Sequence, residues 1–396
     1  MNNFSKNLKK LKQASSIYFN EILYGELKKG KDIISLSLGE AFFDLDYLYK
    51  SKFDHITGSH YSSSRGQPEL LKKISQYYLR YYKSNVDYKN EILISAGSKA
   101  LIYFSMLAFI NKNDEILINE PGWVSYAEQA KLVGAKVNFF KVDKNFSDVK
   151  ISKKTKMIII NNPNNPSGYI FPQKKLEQIY NECLKRKIIL LVDEAYSDFL
   201  ESKFFYSLAR KKNKKYLLII NSLSKNFGLS GWRIGYMISE KNNINQIEKI
   251  NQHIITCAPT VLQNFLSNNF QNMLNTTLPQ IKNIIVKRKK ILNFLKKINL
   301  KFHKGNSTFY IFLDLSNYSG NINNLALYLL LEKKISVVPG FAYGKNFKKF
   351  IRISIGTETE DRIFLGLATI KNLLKSKFTN LHIQKLLKKN GYEKFN

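Results

Sequence analysis

Among the many lysines of this chain, Lys225 stands apart by its neighbours. It sits in Ser222-Leu223-Ser224-Lys225-Asn226-Phe227-Gly228-Leu229-Ser230-Gly231-Trp232-Arg233-Ile234-Gly235, directly after the apolar run Tyr216-Leu217-Leu218-Ile219-Ile220. A lysine amine can condense with an aldehyde, and hydroxyls, small residues and an arginine beside it can grip a phosphate. Three further clusters have the same look of polar groups placed where apolar runs stop. Ala96-Gly97-Ser98-Lys99-Ala100 joins a strand pattern to a helix pattern, so a glycine lets the backbone approach an anion and a helix start points N–H groups at it. Asn162-Pro163-Asn164-Asn165-Pro166-Ser167-Gly168 fixes the backbone at two Asn-Pro steps, either of which can be cis, and holds an Asn amide at a set position. Val192-Asp193-Glu194-Ala195-Tyr196 ends an apolar strand in acids and a phenol, and a carboxylate there costs stability unless it has a partner.

The elements that must position these groups are legible from periodicity. Between about Glu91 and Ser239, short runs such as Glu91-Ile92-Leu93-Ile94, Glu115-Ile116-Leu117-Ile118, Lys136 to Phe140, Met157 to Ile160, Ile188 to Val192 and Leu217 to Ile220 alternate with longer amphipathic stretches, with helices starting at Ser98 and Trp123. Alternation of this kind predicts βαβ units and a mostly parallel, doubly wound α/β sheet, whose ligands lie at the carboxyl ends of the strands. A helical stretch from Asn242 to about Leu300 then leads to short strands around Phe309–Leu313, Ile335–Val338 and Phe350–Ser354, a smaller α+β domain. The expected division is a large domain at 44–290 and a small one made of 1–43 and 291–396, bridged by a long helix.

With 396 residues, 44% hydrophobic, the chain can bury two large cores. Its formal charge of +33 raises the question of nucleic acid or an anionic membrane. The excess is nearly all lysine, spread from Lys6 to Lys394, whereas nucleic-acid binding concentrates arginine and aromatics on one element. Clusters such as Lys287-Arg288-Lys289-Lys290 and Lys211-Lys212-Asn213-Lys214-Lys215 are expected to be solvated helix faces or loop tips, and no nucleic-acid partner is expected. Cys183 and Cys257 show no CxxC or zinc spacing, so a reduced compartment and no metal are expected. The start, Met1 to Lys6, lacks a signal-peptide core, and no apolar run is long enough to span a bilayer, which gives the expectation of a cytoplasmic protein with no membrane partner.

Taken in order, Ser35 to Glu40, Tyr61 through Gly66 to Leu70, Gly97-Ser98-Lys99, Glu120-Pro121-Gly122-Trp123, Asn162 to Gly168, Asp193 to Tyr196, Ser222 to Gly235 and Phe350 to Ser354 resemble the class I/II aminotransferases of the aspartate aminotransferase superfamily. These are fold-type I pyridoxal-phosphate enzymes, and the resemblance covers essentially the whole chain. It implies that Lys225 forms the Schiff base with pyridoxal 5'-phosphate and shuttles the proton between substrate and cofactor. It further implies that Asp193 holds the pyridine nitrogen protonated and that Tyr196 and Asn165 hydrogen-bond the ring 3'-oxygen. Trp123 would stack on the ring, and Ser222, Arg233 and the backbone at Gly97, Ser98 and Lys99 would bind the phosphate. Arg352 would take the substrate α-carboxylate and Gly39 close over the substrate through its backbone, with Trp123 and Asn165 also facing it. Tyr61 would reach the phosphate of a neighbouring subunit's cofactor, implying a homodimer with composite sites.

The activity so implied is ping-pong transfer of an amino group from an amino acid to a 2-oxo acid, glutamate being the default donor. The chain departs from the family at Ala41-Phe42-Phe43-Asp44, where Pro-Asp-Phe is usual, and no residue is a clear equivalent of the aspartate enzymes' side-chain carboxylate binder. Lys99 and Arg65 are both candidates, each with a structural alternative as a helix-start or a loop residue. A C–S lyase or synthase of the same fold is the first competing reading, although such members tend to carry Asp-Glu-Ile-His where this chain has Asp193-Glu194-Ala195-Tyr196. An aminotransferase-like transcription regulator is more distant, because roughly thirty residues before the first motif are too few for a DNA-binding domain.

Overall fold

In the computed structural model, residues 5, 8, 11, 15–45, 48, 52–142, 145–201 and 205–392 are described. The segment Met1 to Phe4 and Lys6, read above for a signal peptide, lie outside them. The elements used below are α1 (Ser15–Lys28), β1 (Ile34–Ser35), α2 (Pro68–Tyr82), β2 (Ile92–Ser95), α3 (Ser98–Phe109), β3 (Glu115–Glu120), α4 (Val124–Leu132) and β4 (Lys136–Lys141). There follow β5 (Thr155–Asn161), α5 (Gln173–Arg186), β6 (Ile189–Asp193), β7 (Leu217–Ser222), α6 (Leu223–Asn226), β8 (Gly235–Ile238), α7 (Lys241–Ile254) and α8 (Thr260–Lys297). The chain continues through β9 (Tyr310–Asp314), α9 (Ile322–Leu331), β10 (Ile335–Ser336), β11 (Val338–Pro339), β12 (Phe350–Ser354), α10 (Glu360–Leu373) and α11 (Asn380–Lys389).

Contacts divide the described residues into two units. The first takes those of Met1–Leu11, Phe43–Asn164 and Ile170–Lys282, and the second those of Lys12–Phe42, Asn165–Tyr169 and Asn283–Asn396. The later division thus falls at 282/283, where 290/291 was expected, and the short segment Asn165–Tyr169 groups with the second unit. Its tether is plain: the Gly168 carbonyl accepts from the Ser307 hydroxyl at 2.7 Å and from the amides of Asn306 and Ser307.

The first unit is built on a seven-stranded sheet in the order β2-β8-β7-β6-β5-β3-β4. Runs of Ile, Leu and Val in β2, β6 and β7, and Gly-Tyr-Met-Ile in β8, are buried at every position, as strands covered on both faces must be. All pairings are parallel except those of β8, which runs antiparallel to both β2 and β7. This reversal is the consequential feature of the sheet. Gly235, the first residue of β8, pairs with Ser222 at the end of β7 and with Ser95 at the end of β2, so the chain entering β8 meets the carboxyl ends of two other strands. Helix α2 packs on the sheet through Leu70, Leu71, Ile74, Tyr77, Tyr78 and Tyr82, spaced three to four residues apart, and begins with Pro68 at its first position.

The helical stretch expected from Asn242 to Leu300 is two helices, α7 and α8. Pro259, which lacks an amide hydrogen and disfavours helix in the residue before it, separates them, and Thr256 turns the chain at φ +73°. The charged clusters are also less solvated than their composition suggests. Lys214 is only 3% exposed and its ammonium lies 3.0 Å from Glu91 Oε1, while Arg288 is fully buried.

In the second unit β9, β11 and β12 form an antiparallel sheet in the order β11-β12-β9, and β1 pairs in parallel with β10. The run Ile335–Val338 is therefore two short strands with different partners, β10 with β1 and β11 with β12. Arg288 donates from Nη1 to the Tyr310 carbonyl and from Nη2, at 2.8 Å, to that of Gly305, which sets backbone dipoles against its buried charge.

Candidate active site

The sheet register of the first unit brings together most of the residues singled out in the sequence. Asp193 ends β6 level with Asn161 of β5 and Ile220 of β7. Its carboxylate is buried, with Oδ2 accepting from the Tyr126 hydroxyl at 2.6 Å and Oδ1 from the Ala195 amide at 3.1 Å. Burial pushes this carboxyl up from its ordinary value, while the two hydrogen bonds and the charge of Lys225 pull it down. Lys225 is therefore within electrostatic reach of Asp193, on the one-turn helix α6 that follows β7. Ser222 caps that helix, its hydroxyl accepting from the Ser224 amide at 3.1 Å.

A second cluster sits where β8 begins. Gly97 has φ +87°, and a Cβ there would lie 2.6 Å from Arg233 Nη2; a Cβ on Gly235 would fall on the Ser98 amide nitrogen. Only glycines let the 97–98 turn, Arg233 and the β8 start close together. Arg233 itself adopts φ +57° and donates from Nη1 to the Ser230 carbonyl at 2.6 Å. Lys99 lies with its ammonium 5.1 Å from the Trp123 ring centre, and burial followed by the charge of Arg233 pulls its pKa down. Two cations and the amino end of α3 thus share one patch, a donor set suited to a doubly charged anion such as a phosphate.

Trp123 precedes α4 and meets Tyr126 edge to face at 5.2 Å, so that Lys99, Trp123, Tyr126 and Asp193 form a continuous line of contacts. Tyr196 is buried, three residues beyond Asp193. Tyr61 is 85% exposed. Arg65 is already committed: its Nε and Nη2 lie 3.0 and 2.6 Å from Glu248 Oε2, and Nη2 also donates to Asn245. It is a structural residue and not a free carboxylate binder.

The remaining candidates, Gly39, Asn165 and Arg352, belong to the second unit. Arg352 is 4% exposed on β12, donates to the Ser37 carbonyl at 2.6 Å, and lies over the Tyr310 and Tyr343 rings at 4.3 and 5.5 Å. Gly39 has only the Tyr310 hydroxyl near a hypothetical Cβ, at 3.5 Å, so packing does not demand glycine there.

Sequence reasoning missed Tyr126, the partner that the buried Asp193 required. Its signal was its place three residues after Trp123, one helical turn away. Also missed was a polar group behind Lys225, composed of Tyr77, Tyr82, Ser197, Asp198 and Asn226. Among the described residues no group of three or more His, Cys, Asp or Glu could hold a metal ion, and no helix is long and apolar enough to cross a membrane.

Comparison with known proteins places the chain in one family. The model of aminotransferase class I and II matches residues 45–366. The chain is 32% identical over 360 residues to a probable aspartate aminotransferase of Methanocaldococcus jannaschii, covering 87% of this chain and 94% of the relative. It is 29% identical to an aspartate aminotransferase of Sulfurisphaera tokodaii, covering 94% and 98%. The crystal structure of an aspartate aminotransferase from Thermotoga maritima superposes with a TM-score of 0.82 at 26% identity, covering 94% of this chain and all of that one. With that fold and family match in hand, the chain belongs to the class I and II aminotransferases and is a pyridoxal-phosphate-dependent transaminase.

Proposed function

We propose that Lys225 is the lysine that holds pyridoxal phosphate and that, once released by an incoming amine, moves the proton at the substrate Cα. The observation that carries this reading is the buried Asp193 carboxylate with Lys225 acting on it from the end of the adjacent strand. Bound there, pyridoxal phosphate supplies an aldehyde that captures amines and a protonated ring that accepts the electron pair left at Cα. Asp193 answers the ring nitrogen: a carboxylate held in a dry site, with Tyr126 and the Ala195 amide on its oxygens, favours a cationic partner. Tyr196 and Asn165 would serve the ring 3'-oxygen and Trp123 would cover the ring face. Ser222, Arg233 and the backbone amides at 97–99 would hold the phosphate, whose charge would offset the mutual repulsion of Lys99 and Arg233.

Arg352 takes the substrate α-carboxylate, supported by its burial among the Tyr310 and Tyr343 rings, and Gly39 closes over the substrate by its backbone. The substrates are an amino acid and a 2-oxo acid in two half-reactions. Aspartate is the first amino acid to test, on the names of the relatives, with Lys99 the cation left to meet a side-chain carboxylate now that Arg65 is engaged. The strong exposure of Tyr61 supports its reaching a second subunit's cofactor, hence a homodimer, and we place the protein in the cytoplasm.

Lys225→Ala tests the reading. The expected result is loss of the visible absorbance of covalently held cofactor and a fall in transamination of more than about a thousandfold. Turnover close to wild type in that variant would remove Lys225 from the mechanism. Release of ammonia and pyruvate from a β-substituted amino acid, without the pyridoxamine spectrum, would turn the reading toward a lyase.

A further inference from the structure

The turn that carries Lys225 is pinned on both sides to the segment that follows Asp193 and carries Tyr196. Before Lys225, the Asn221 amide donates to Ser197 Oγ at 3.1 Å and to the Tyr78 hydroxyl at 3.3 Å, and its own Oδ1 accepts from the Ser222 amide at 2.7 Å. After Lys225, the Asn226 amide donates to Asp198 Oδ2 at 3.0 Å. Ser197 and Asp198 are consecutive, so two asparagines flanking the lysine grip two adjacent residues just beyond Tyr196.

Asp198 does not stand alone. Its carboxylate accepts from the Tyr77 hydroxyl at 2.6 Å and, at Oδ1, from the Tyr82 hydroxyl at 2.7 Å, and Tyr82 also lies 2.7 Å from Ser197 Oγ. Tyr77, Tyr82, Ser197, Asn221 and Asn226 are all buried. Three donors on one carboxylate are a costly arrangement to build and a stiff one once built, because removing the acceptor strands every donor at once. Tyr77 and Tyr82 come from the last part of α2, a packed helix of fifteen residues, so the anchor rests on a rigid element.

We propose that Asp198 is a positioning residue for Lys225: by holding Asn226 it fixes α6 against the segment that leaves β6 at Asp193, and so sets the distance over which Lys225 works. The inference rests on the reading of Lys225 given above. It differs from a purely structural role in what it touches, since Asp198 bonds the residue next to the lysine and its neighbour Ser197 bonds Asn221, near the end of the strand that leads into the turn. A misplaced base loses rate without losing substrate affinity.

The test uses the full chain loaded with pyridoxal phosphate and four variants: Asp198→Ala, Asn226→Ala, the double variant, and Asp198→Asn. Three quantities are read: kcat and KM, the pH midpoint of the bound-cofactor absorbance, and the melting temperature of the cofactor-free protein. The expected result is a kcat lowered on the order of tenfold to a hundredfold in each alanine variant with KM within about twofold. The absorbance midpoint should move in the same direction in both. The double variant should be no worse than the worse single one, and Asp198→Asn, whose amide oxygen can still accept from Asn226, should recover most of the loss. A lower melting temperature with an unmoved midpoint and kcat would overturn the proposal, as would losses that simply multiply in the double variant. Should Asp198→Ala fail to fold, Asn226→Ala decides alone: wild-type kcat and midpoint there refute it. An active Lys225→Ala enzyme would instead refute the underlying reading of the site.

Discussion

Glu194 offers a quantitative test of the buried chemistry beside Asp193. It is fully buried, its oxygens accept from the Ser207 hydroxyl at 2.8 and 2.9 Å, and the Tyr78 hydroxyl lies 3.4 Å away. Burial pushes its carboxyl up to about 8, against 4.5 for a free one; Ser207 and Tyr78 pull it down and the neighbouring Asp193 adds to the rise. Below pH 4.5 the folded and unfolded chains both hold the proton, and this group adds no pH dependence. As pH climbs from there to about 8, only the folded state keeps it, so stability is progressively lost; above about 8 both states have released it and the loss is complete. At about 1.36 kcal/mol per pH unit, the interval corresponds to roughly 4–5 kcal/mol.

Glu194→Gln removes the titration while keeping a carbonyl for Ser207 and an N–H where the protonated acid had its O–H. The melting temperature of the cofactor-free wild type, relative to that of Glu194→Gln, should therefore fall steadily between about pH 5 and 8 and level off beyond. A chain of this size gains or loses about 1–2 °C per kcal/mol, so the relative change should be roughly 4–10 °C. Parallel curves for the two proteins across this range would refute the reasoning, because they would mean that Glu194 ionises as an exposed carboxyl does.

Two further perturbations address the neighbouring groups. Tyr126→Phe removes the O–H on Asp193, which raises the Asp193 carboxyl further; the acid limb of the kcat profile should move to higher pH and kcat fall about tenfold, the worth of roughly 1.5 kcal/mol for a hydrogen bond to a charge, as read from steady-state rates across pH. Unchanged profiles would detach Tyr126 from the site. Gly235→Ala places a methyl on the Ser98 amide nitrogen, so cofactor affinity should weaken at least about tenfold and the melting temperature drop with a loss of about 1–3 kcal/mol, as seen by absorbance titration and thermal melting.

Much of the large sheet was legible because β-branched runs bounded by Gly, Asn and Pro can be little else, and Lys225, Asp193 and the 97–99 turn do lie where those runs stop. The direction of β8 was not legible. Gly235 to Ile238 is an apolar run like its neighbours, and nothing local records that it pairs antiparallel. Burial of Arg288 and Lys214 was equally hidden, since a cation in a basic cluster has the same signature whether it meets water or a carbonyl. Tyr77 and Tyr82 of α2 are core residues whose hydroxyls find Asp198 more than a hundred positions away, a pairing that only the tertiary fold defines.

The antiparallel insertion of β8 has a consequence for how the molecule is completed. β2 joins the sheet through β8 alone, and Gly235 touches the ends of both β2 and β7, so the residues at 97–99, Ser222 and Arg233 become neighbours only when this strand is seated. A chain in which β8 has come out keeps every one of those side chains but has no place where they meet. Whatever anion they grip therefore binds the closed sheet and not the opened one, and must hold the strand in by mass action. Cofactor affinity and the fraying of this edge of the sheet are then two readings of a single equilibrium, and hydrogen exchange at the Tyr236 to Ile238 amides should slow in step with cofactor occupancy.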